Sequence, residues 1–294
     1  IGTAREPIEG WTDNLYGPTG VVAGAGLGIL RTFYCDKDFV ADLVPVDLCV
    51  NAVIALPWYR ENTRQASENS TESKKDPPII NYVSSHKNPI TWGEYMKHNE
   101  SGLQRPSVHC IWYYFFALNN NYFIHMLYVY ILQMVPAVIL DIVLYTLGKT
   151  PILWKTYRKI HRFTGIISYF SMKEFKFEDN NVDSMWKKMG SKDRQLFDFN
   201  ISSLNWKSTI TNSMLGLRVY LVNDPIETLP EARKRFQKIR YNIMNENFLT
   251  ACIVCQWNEF PEKHSGHVVL AARSGLRSIE INAKCYDHWR AGCS

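Results

Sequence analysis

Apolar and polar positions follow one another in blocks along this chain, and most of the blocks predict helices. An apolar run at 48–56 follows Asp47, whose carboxylate suits the N-cap of a helix, and we expect that helix to end near Pro57. The stretch 60–78 is rich in Ser, Asn, Glu and Lys and predicts a surface loop. The first part of the chain is therefore predicted to carry one short helix followed by a long connection.

Three shorter patterns complete the N-terminal part. Residues 1–5 have the character of the end of a strand, and the β-branched run 79–83 predicts a second strand. Thr91 and Glu94 have the spacing of a capping box, which predicts that another helix begins there. Further on, from 155 to 240, short helical pieces separated by capping residues predict a mainly helical region.

The most apolar part of the chain lies at 108–118 and 122–147. The second run has the roughly 20 residues that a membrane span requires, but polar residues and a proline interrupt it: His125, Gln133, Pro136 and Asp141. Basic residues follow at once, which favours a cytoplasmic location for that end: Lys149, Lys155, Arg158, Lys159 and Arg162. This pattern fits six arrangements. Four involve a membrane: a single crossing, a helical hairpin, a re-entrant segment and docking at the membrane surface. The other two are a wall of an acyl tunnel and a buried core helix.

Composition narrows the class of protein. The chain has 294 residues, of which 46% are hydrophobic and 21% charged, enough for one large or two ordinary domains with a real core. The net charge of +5 is modest, and Lys and Arg concentrate at 149–162 and 233–240 rather than in a regular stripe, so we expect no nucleic-acid partner. Seven scattered cysteines indicate reduced thiols in an intracellular protein rather than a disulfide framework.

Three motifs resemble sites for a cofactor, a catalytic pair and a metal, and each has a simpler interpretation. Residues 19–26 fit the Thr-Gly-x-x-x-Gly-x-Gly form of a dinucleotide loop, but turn residues rather than a buried strand precede them. Tyr169 and Lys173 have the Tyr-x-x-x-Lys spacing of a reductase, which we interpret as a packed tyrosine beside a solvated lysine. Cys252 and Cys255 suit zinc by their spacing, but they lie in an apolar run, and we predict no metal.

A series of motifs, in one order, resembles the alcohol-forming fatty acyl-CoA reductases, especially those of insects. The matching segments are 5–11 (Arg-Glu-Pro-Ile-Glu-Gly-Trp), 17–20 (Gly-Pro-Thr-Gly), 42–47 (Asp-Leu-Val-Pro-Val-Asp), 88–94 (Asn-Pro-Ile-Thr-Trp-Gly-Glu), 175–181 (Phe-Lys-Phe-Glu-Asp-Asn-Asn) and 216–220 (Gly-Leu-Arg-Val-Tyr). The resemblance covers about residues 1–245, through the C-terminal "male sterility" domain of that family.

The resemblance implies an α/β fold: the C-terminal remnant of a Rossmann-like domain of the extended short-chain dehydrogenase/reductase type, followed by a mainly helical domain. It places a partial NAD(P)-binding domain at 1–105, an apolar membrane-associated or acyl-tunnel segment at 106–148, the helical male-sterility domain at 149–247 and a divergent tail at 248–294. The family's glycine-rich phosphate loop and its Tyr-x-x-x-Lys pair precede the residues matched here. We therefore predict no catalytic residue in this chain and no reductase turnover by it alone.

The implied reaction is the NADPH-dependent reduction of a long-chain fatty acyl-CoA to a fatty alcohol at an intracellular membrane, peroxisomal or of the endoplasmic reticulum. The resemblance puts cofactor contacts at Gly2 and Thr3. It puts substrate contacts at Trp11, Asn14, Gly17 and Pro18, for which a rigid turn anchored by the tryptophan is the alternative. The resemblance is compatible with a homo-oligomer and with a monomer. The alternative function is a catalytically inactive, membrane-associated fragment that binds acyl chains or the intact reductase.

Overall fold

The computed structural model describes residues 1–68, 79–102, 105–112 and 114–245. Within these ranges the chain is mostly helical, with one small parallel sheet formed by β1 (Thr32–Tyr34) and β2 (Ala117–Asn119). In this sheet Thr32 pairs with Ala117 and Tyr34 with Asn119. The α-helices are α1 (Pro18–Gly26), α2 (Val46–Glu68), α3 (Trp92–Gly102), α4 (Tyr122–Val129), α5 (Val135–Thr146), α6 (Leu153–Ser171), α7 (Asn180–Lys188), α8 (Ser191–Leu196), α9 (Trp206–Gly216) and α10 (Leu229–Asn245).

Short helical segments of other types connect these elements. A π-helical segment, Tyr130–Met134, joins α4 to α5 into one continuous helix, and a second one, Leu217–Leu221, extends α9. Two 3-10 turns, Ile201–Ser203 and Ile226–Thr228, precede α9 and α10. Helices combined with a parallel strand pair fit the predicted α/β class. Two strands alone do not establish a remnant of a Rossmann-like domain.

The principal core brings together segments far apart in the sequence, from Ile1 to Val222. It combines residues of α1, α3 and α9 with the segment that precedes α2, and its most buried members include Val22, Ala41, Leu48, Ile90 and Ile210. The sheet crosses the predicted boundary at residue 105, since β1 precedes it and β2 follows it. The division into four domains therefore stays a prediction.

The helix that begins near Asp47 does not end at Pro57, as the sequence predicted. It continues to Glu68, so 60–68 are helical, while 69–78 lie outside the described residues. Pro57 lies on the exposed side, where the carbonyl that loses its helical partner can bond to water. On the other side Tyr59 packs against Val182 and Met185, and this tertiary packing stabilises the helix beyond the proline.

The two predicted strands at 1–5 and 79–83 are also absent: both segments are irregular in structure. Ile1 is held by backbone hydrogen bonds to Val44 and Val46. The second segment is held by side chains instead of a neighbouring strand, as the amide of Asn81 donates to the carbonyl of Glu178 at 3.1 Å. The capping box is confirmed, because Thr91 N–H donates to Glu94 at 3.0 Å and Glu94 N–H to Thr91 Oγ1 at 3.2 Å.

Candidate functional site

The N-terminal residues form a tight loop that is fixed at its base by one carboxylate. Thr3 N–H donates to the carbonyl of Trp11 at 3.0 Å, and Gly10 N–H donates to the carbonyl of Thr3 at 2.9 Å. The buried Asp47 carboxylate then accepts from three successive N–H groups of the loop: Ala4 at 2.9 Å, Arg5 at 2.8 Å and Glu6 at 3.2 Å. Asp47 therefore caps the N-terminal loop rather than its own helix.

This loop rests directly on α9. A Cβ atom built on Gly216 would lie 1.7 Å from the carbonyl oxygen of Gly10, so only glycine allows the two backbones to approach so closely. Beside this contact, the Asn212 amide donates to the Glu9 carboxylate at 2.6 Å. The loop and α9 together make one side of a small cavity.

That first cavity, the polar cavity, measures about 20 Å³, which is room for one water molecule. Most of its wall is apolar, and its hydrogen-bonding groups come from Thr12, Thr19, Asn99 and Ser213, with backbone of Gly2. The apolar lining residues are Ile1, Val22, Ile210, Met214 and Leu217. The Ser213 hydroxyl is buried and has no hydrogen-bond partner in the structure. A buried polar atom without a partner is costly, so this cavity suits a ligand or a water molecule with hydrogen-bonding capacity.

A second cavity of about 20 Å³, the apolar cavity, lies between α1, the strand pair, α3 and α6. Its walls are almost wholly apolar: Pro18, Val21, Phe33, Cys35, Trp92, Tyr95, Met96, Leu118 and Ile167. The one orphaned polar atom on these walls is the buried Trp92 Nε1, within the described part of the chain. Such a lining attracts hydrocarbon rather than a charged group.

Tyr95 of α3 lines both cavities. Burial raises its pKa to about 12, so the ring stays neutral at physiological pH. Its ring meets that of Trp92 edge-on, with the centroids 6.2 Å apart, and Asn99 one turn later donates to its backbone carbonyl at 2.7 Å. Tyr95 is thus a buried, neutral wall that the two cavities share.

The structure distributes the six predicted site residues unevenly around these cavities. Gly2 lines the polar cavity and Pro18 the apolar cavity. Trp11 and Asn14 lie exposed, and Gly17 is half-buried with a φ of +56°, at the N-cap of α1. These four substrate contacts, and the cofactor contact at Gly2, stay predictions.

Thr3, the other predicted cofactor contact, is buried, and its hydroxyl donates to the carbonyl of Ile8 within the loop. Residues 19–26 belong to α1, so this segment is a helix rather than a phosphate-binding loop. Gly2 lines the polar cavity, whereas Thr3 lines neither of the two cavities described above. These residues do not make up a nicotinamide site, and we derive no step through that cofactor.

The other candidate motifs have structural roles or lie outside the described residues. The Lys173 ammonium lies 4.2 Å from the ring centroid of Tyr169, which is half exposed, as expected for a packed tyrosine beside a solvated lysine. Among the described residues no cluster of His, Cys, Asp and Glu could hold a metal ion. Cys252 and Cys255 lie outside the described residues, as does the divergent tail.

A buried ion pair, absent from the predicted sites, lies in the segment that follows α9. Arg218 and Asp224 are 4% and 0% exposed, and Arg218 Nη2 lies 3.2 Å from Asp224 Oδ2. Burial alone would raise the pKa of Asp224, but hydrogen bonds from Thr228, Ser107 and Val108, together with Arg218, hold it below its ordinary 3.8. Its carboxylate thereby fixes 107–108 to the turn before α10.

Sequence reasoning missed the residues that shape both cavities, above all Tyr95, Trp92 and Ser213. Tyr95 follows the capping box by one residue, which predicts a helical position but not the two cavities on either side of it. The apolar cavity needs five elements to meet, and no local pattern encodes that meeting.

Comparison with known proteins finds similarity in two regions of the chain and over most of its length. Two family models, both described as male sterility protein, match residues 1–53 and 132–224, and the first is an NAD-binding model. The chain is 38% identical over 241 residues to the fatty acyl-CoA reductase wat of Drosophila melanogaster, which covers 82% of this chain and 45% of that protein. It is 30% identical over 265 residues to fatty acyl-CoA reductase 1 of Xenopus laevis and of Homo sapiens, covering 87% of this chain and 48% of each relative.

The chain thus spans about half the length of the curated relatives it matches. The matched regions hold both the N-terminal loop and α9, which meet at Gly10 and Gly216. The NAD-binding model implies a nicotinamide cofactor for the family. On these matches, the chain belongs to the fatty acyl-CoA reductase family.

Proposed function

We propose that this chain, or a longer protein that contains it, takes part in the NADPH-dependent reduction of long-chain fatty acyl-CoA to fatty alcohol. The observation that carries the proposal is the pair of cavities that share Tyr95, one with several hydrogen-bonding groups in a mixed wall and one with an almost wholly apolar wall. An acyl thioester has the same two parts, a polar reacting carbonyl and a hydrocarbon chain. The names of the relatives support acyl-CoA as the substrate.

In this proposal the apolar cavity receives the hydrocarbon chain near the carbonyl. Val21, Phe33 and Leu118 exclude water from it, and burial of each methylene group contributes about 0.8 kcal/mol to binding. At about 20 Å³ the cavity is closed in this conformation, so entry of a chain requires side chains to move. Met96 is unbranched and is the lining side chain that changes rotamer most readily.

The polar cavity would face the reacting end. Ser213 Oγ and the Thr12 and Thr19 side chains can hydrogen-bond to a polar group held there. NADPH, the cofactor proposed for this reaction, would supply the hydride. The residues of this chain would position the substrate and exclude water, while the residues that hold the cofactor remain unassigned.

The test is a product assay. The chain alone and the longest natural protein that contains it are incubated with palmitoyl-CoA and NADPH, and hexadecanol is measured by mass spectrometry together with NADPH consumed. The proposal predicts two NADPH oxidised for each hexadecanol formed by the longer protein. Absence of alcohol from a folded, NADPH-binding longer protein would contradict it.

The alternative, an inactive fragment that binds acyl chains or the intact reductase, rests on the same apolar cavity and requires no hydride chemistry. The assay separates the two functions, because alcohol formed by the chain alone excludes the inactive fragment. The compartment, peroxisome or endoplasmic reticulum, and a homo-oligomer stay predictions.

A further inference from the structure

The helix Tyr122–Thr146, here called the apolar helix, is the one described helix long and apolar enough to cross a membrane. It has 25 residues and a mean hydropathy of 2.1 over its most apolar window, of which only 28% is buried. A core helix of a water-soluble protein with this composition would be mostly buried. The exposed side of this helix therefore requires an apolar surface to cover it.

The apolar helix turns its polar side chains toward the protein and its apolar side chains outward. His125, Gln133 and Asp141 are 4%, 4% and 9% exposed. The outward face instead carries large apolar residues: Phe123, Leu127, Tyr130, Ile131, Val135, Ile142 and Tyr145, each more than half exposed. A helix that faces water has the opposite arrangement.

The π-helical segment in the middle keeps the inward residues on one line. His125, Val129, Gln133, Ala137 and Asp141 are all buried and recur every four residues. In an unbroken α-helix, at about 100° per residue, such a row drifts by about 160° between its ends. The wider turn at Tyr130–Met134 holds one more residue and removes much of that drift, so the outward face stays apolar over its full length.

Both ends of the apolar helix are bound to the same folded body. At one end His125 Nδ1 lies 3.1 Å from Thr32 Oγ1 of β1. At the other end the Asp141 carboxylate accepts from the first N–H groups of α6, those of Ile152 and Leu153 at 3.0 Å and that of Trp154 at 2.8 Å. A crossing helix of 25 residues would place its ends about 37 Å apart, on opposite sides of a bilayer.

Positive charge lies next to this face. Lys149 follows the apolar helix directly, and α6, which packs against α5, exposes Lys155, Arg158 and Arg162 at helical spacing. Ammonium and guanidinium groups beside an apolar face match anionic lipid headgroups beside acyl chains. A layer of anionic lipid offers both parts, a hydrocarbon interior and negatively charged headgroups.

We propose that the exposed face of the apolar helix lies in one leaflet of a membrane, parallel to its surface, and does not cross it. The folded body then sits on the same side as both ends of the helix. Ile167, in one wall of the apolar cavity, belongs to α6, the helix that packs against α5 of the apolar helix. This topology rests on side-chain burial and hydrogen bonds, and it is independent of the reductase activity.

Vesicle flotation tests the lipid contact. The full chain is mixed with phosphatidylcholine vesicles that contain about one fifth phosphatidylserine. Leu127→Glu, in the exposed face, is expected to lower the bound fraction about tenfold or more, because a carboxylate enters the leaflet. Leu196→Glu in α8 is the matched control, since Leu196 is 66% exposed and Leu127 58%; its binding should stay within about twofold of wild type.

Cysteine labelling distinguishes the in-plane helix from a crossing one. Asn120→Cys and Lys149→Cys place thiols at exposed positions before and after the apolar helix. A membrane-impermeant maleimide is added to sealed microsomes that carry the full chain, and labelled peptides are identified by mass spectrometry. Burial raises the pKa of the native Cys35 to about 12 and that of Cys110 to about 11, which keeps both unreactive.

An in-plane helix predicts that both introduced thiols behave alike, labelled together or protected together until detergent is added. Protection of only one of them would overturn the proposal. A wild-type chain that does not float with vesicles would also overturn it, because the outward face would then be covered by protein rather than by lipid. A chain that floats but lacks reductase activity would leave the proposal standing and count against the proposed function alone.

Discussion

Single carboxylates decide the local geometry of this chain. The Asp47 side chain satisfies three backbone N–H groups that lie 41 to 43 positions away in the sequence. A residue typical of helix N-caps thus became the anchor of a distant loop. Because its partners are remote, the sequence predicted the helix start but not what the carboxylate binds.

Asp47→Ala is expected to lower the free energy of unfolding by about 3 kcal/mol, because three backbone donors, one buried and two partly buried, lose a charged acceptor. Urea denaturation followed by circular dichroism measures the change. Asp38→Ala, at an exposed carboxylate, is the control and should change stability by less than about 0.5 kcal/mol. Equal losses in the two variants would show that the Asp47 hydrogen bonds do not hold the loop.

The Arg218–Asp224 pair makes stability depend on pH. Because the pKa of Asp224 is lowered in the folded chain, its contribution is complete above the ordinary pKa of 3.8 and is lost as the pH falls through the lower folded value. Asp224→Asn lacks this contribution. The difference in unfolding free energy between wild type and this variant should therefore narrow below pH 3.8, while Asp38→Asn shows no such narrowing. A difference that is constant with pH would contradict the assignment.

At the scale of elements, contacts between distant parts override local preference. The capping box of α3 was predictable, because both of its partners lie within four residues. The continuation of α2 past Pro57 was not, since it depends on packing of Tyr59 against α7. The predicted strand at 79–83 has no neighbouring strand and is held instead by side chains, such as Asn181, whose amide donates to the Ile79 carbonyl at 2.6 Å.

The crossing of the N-terminal loop over α9 depends on glycine at its closest point. Gly216→Ala is expected to destabilise the chain by about 3 kcal/mol or more, since the added methyl group would overlap the Gly10 carbonyl. Gly165→Ala in α6 is the matched control: nothing lies within 4 Å of its added Cβ, so the change should stabilise the helix by about 0.5–1 kcal/mol. Thermal unfolding compares the two. A Gly216→Ala variant as stable as wild type would show that the loop does not contact α9 this closely.

At the scale of the whole molecule, motif order was the most informative part of the sequence. It pointed to the family, and it placed Gly2 and Pro18, which line adjacent cavities. The cavities themselves could not be predicted, since Tyr95, Ser213 and Ile167 come from three helices far apart in the chain. The inward orientation of His125, Gln133 and Asp141 likewise depends on the turn at Tyr130–Met134, which the hydropathy pattern does not show.

We propose that the apolar cavity holds the acyl chain of the substrate. Photo-cross-linking tests it directly, with a palmitoyl-CoA that carries a diazirine on its acyl chain and with labelled peptides identified by mass spectrometry. Met96→Phe narrows the cavity, whereas Met189→Phe makes the same change at a buried methionine in a different cluster. We predict labels on α1 and α3 that Met96→Phe reduces and Met189→Phe leaves unchanged. Labels confined to the outward face of the apolar helix, or unaffected by Met96→Phe, would contradict an acyl site between these helices.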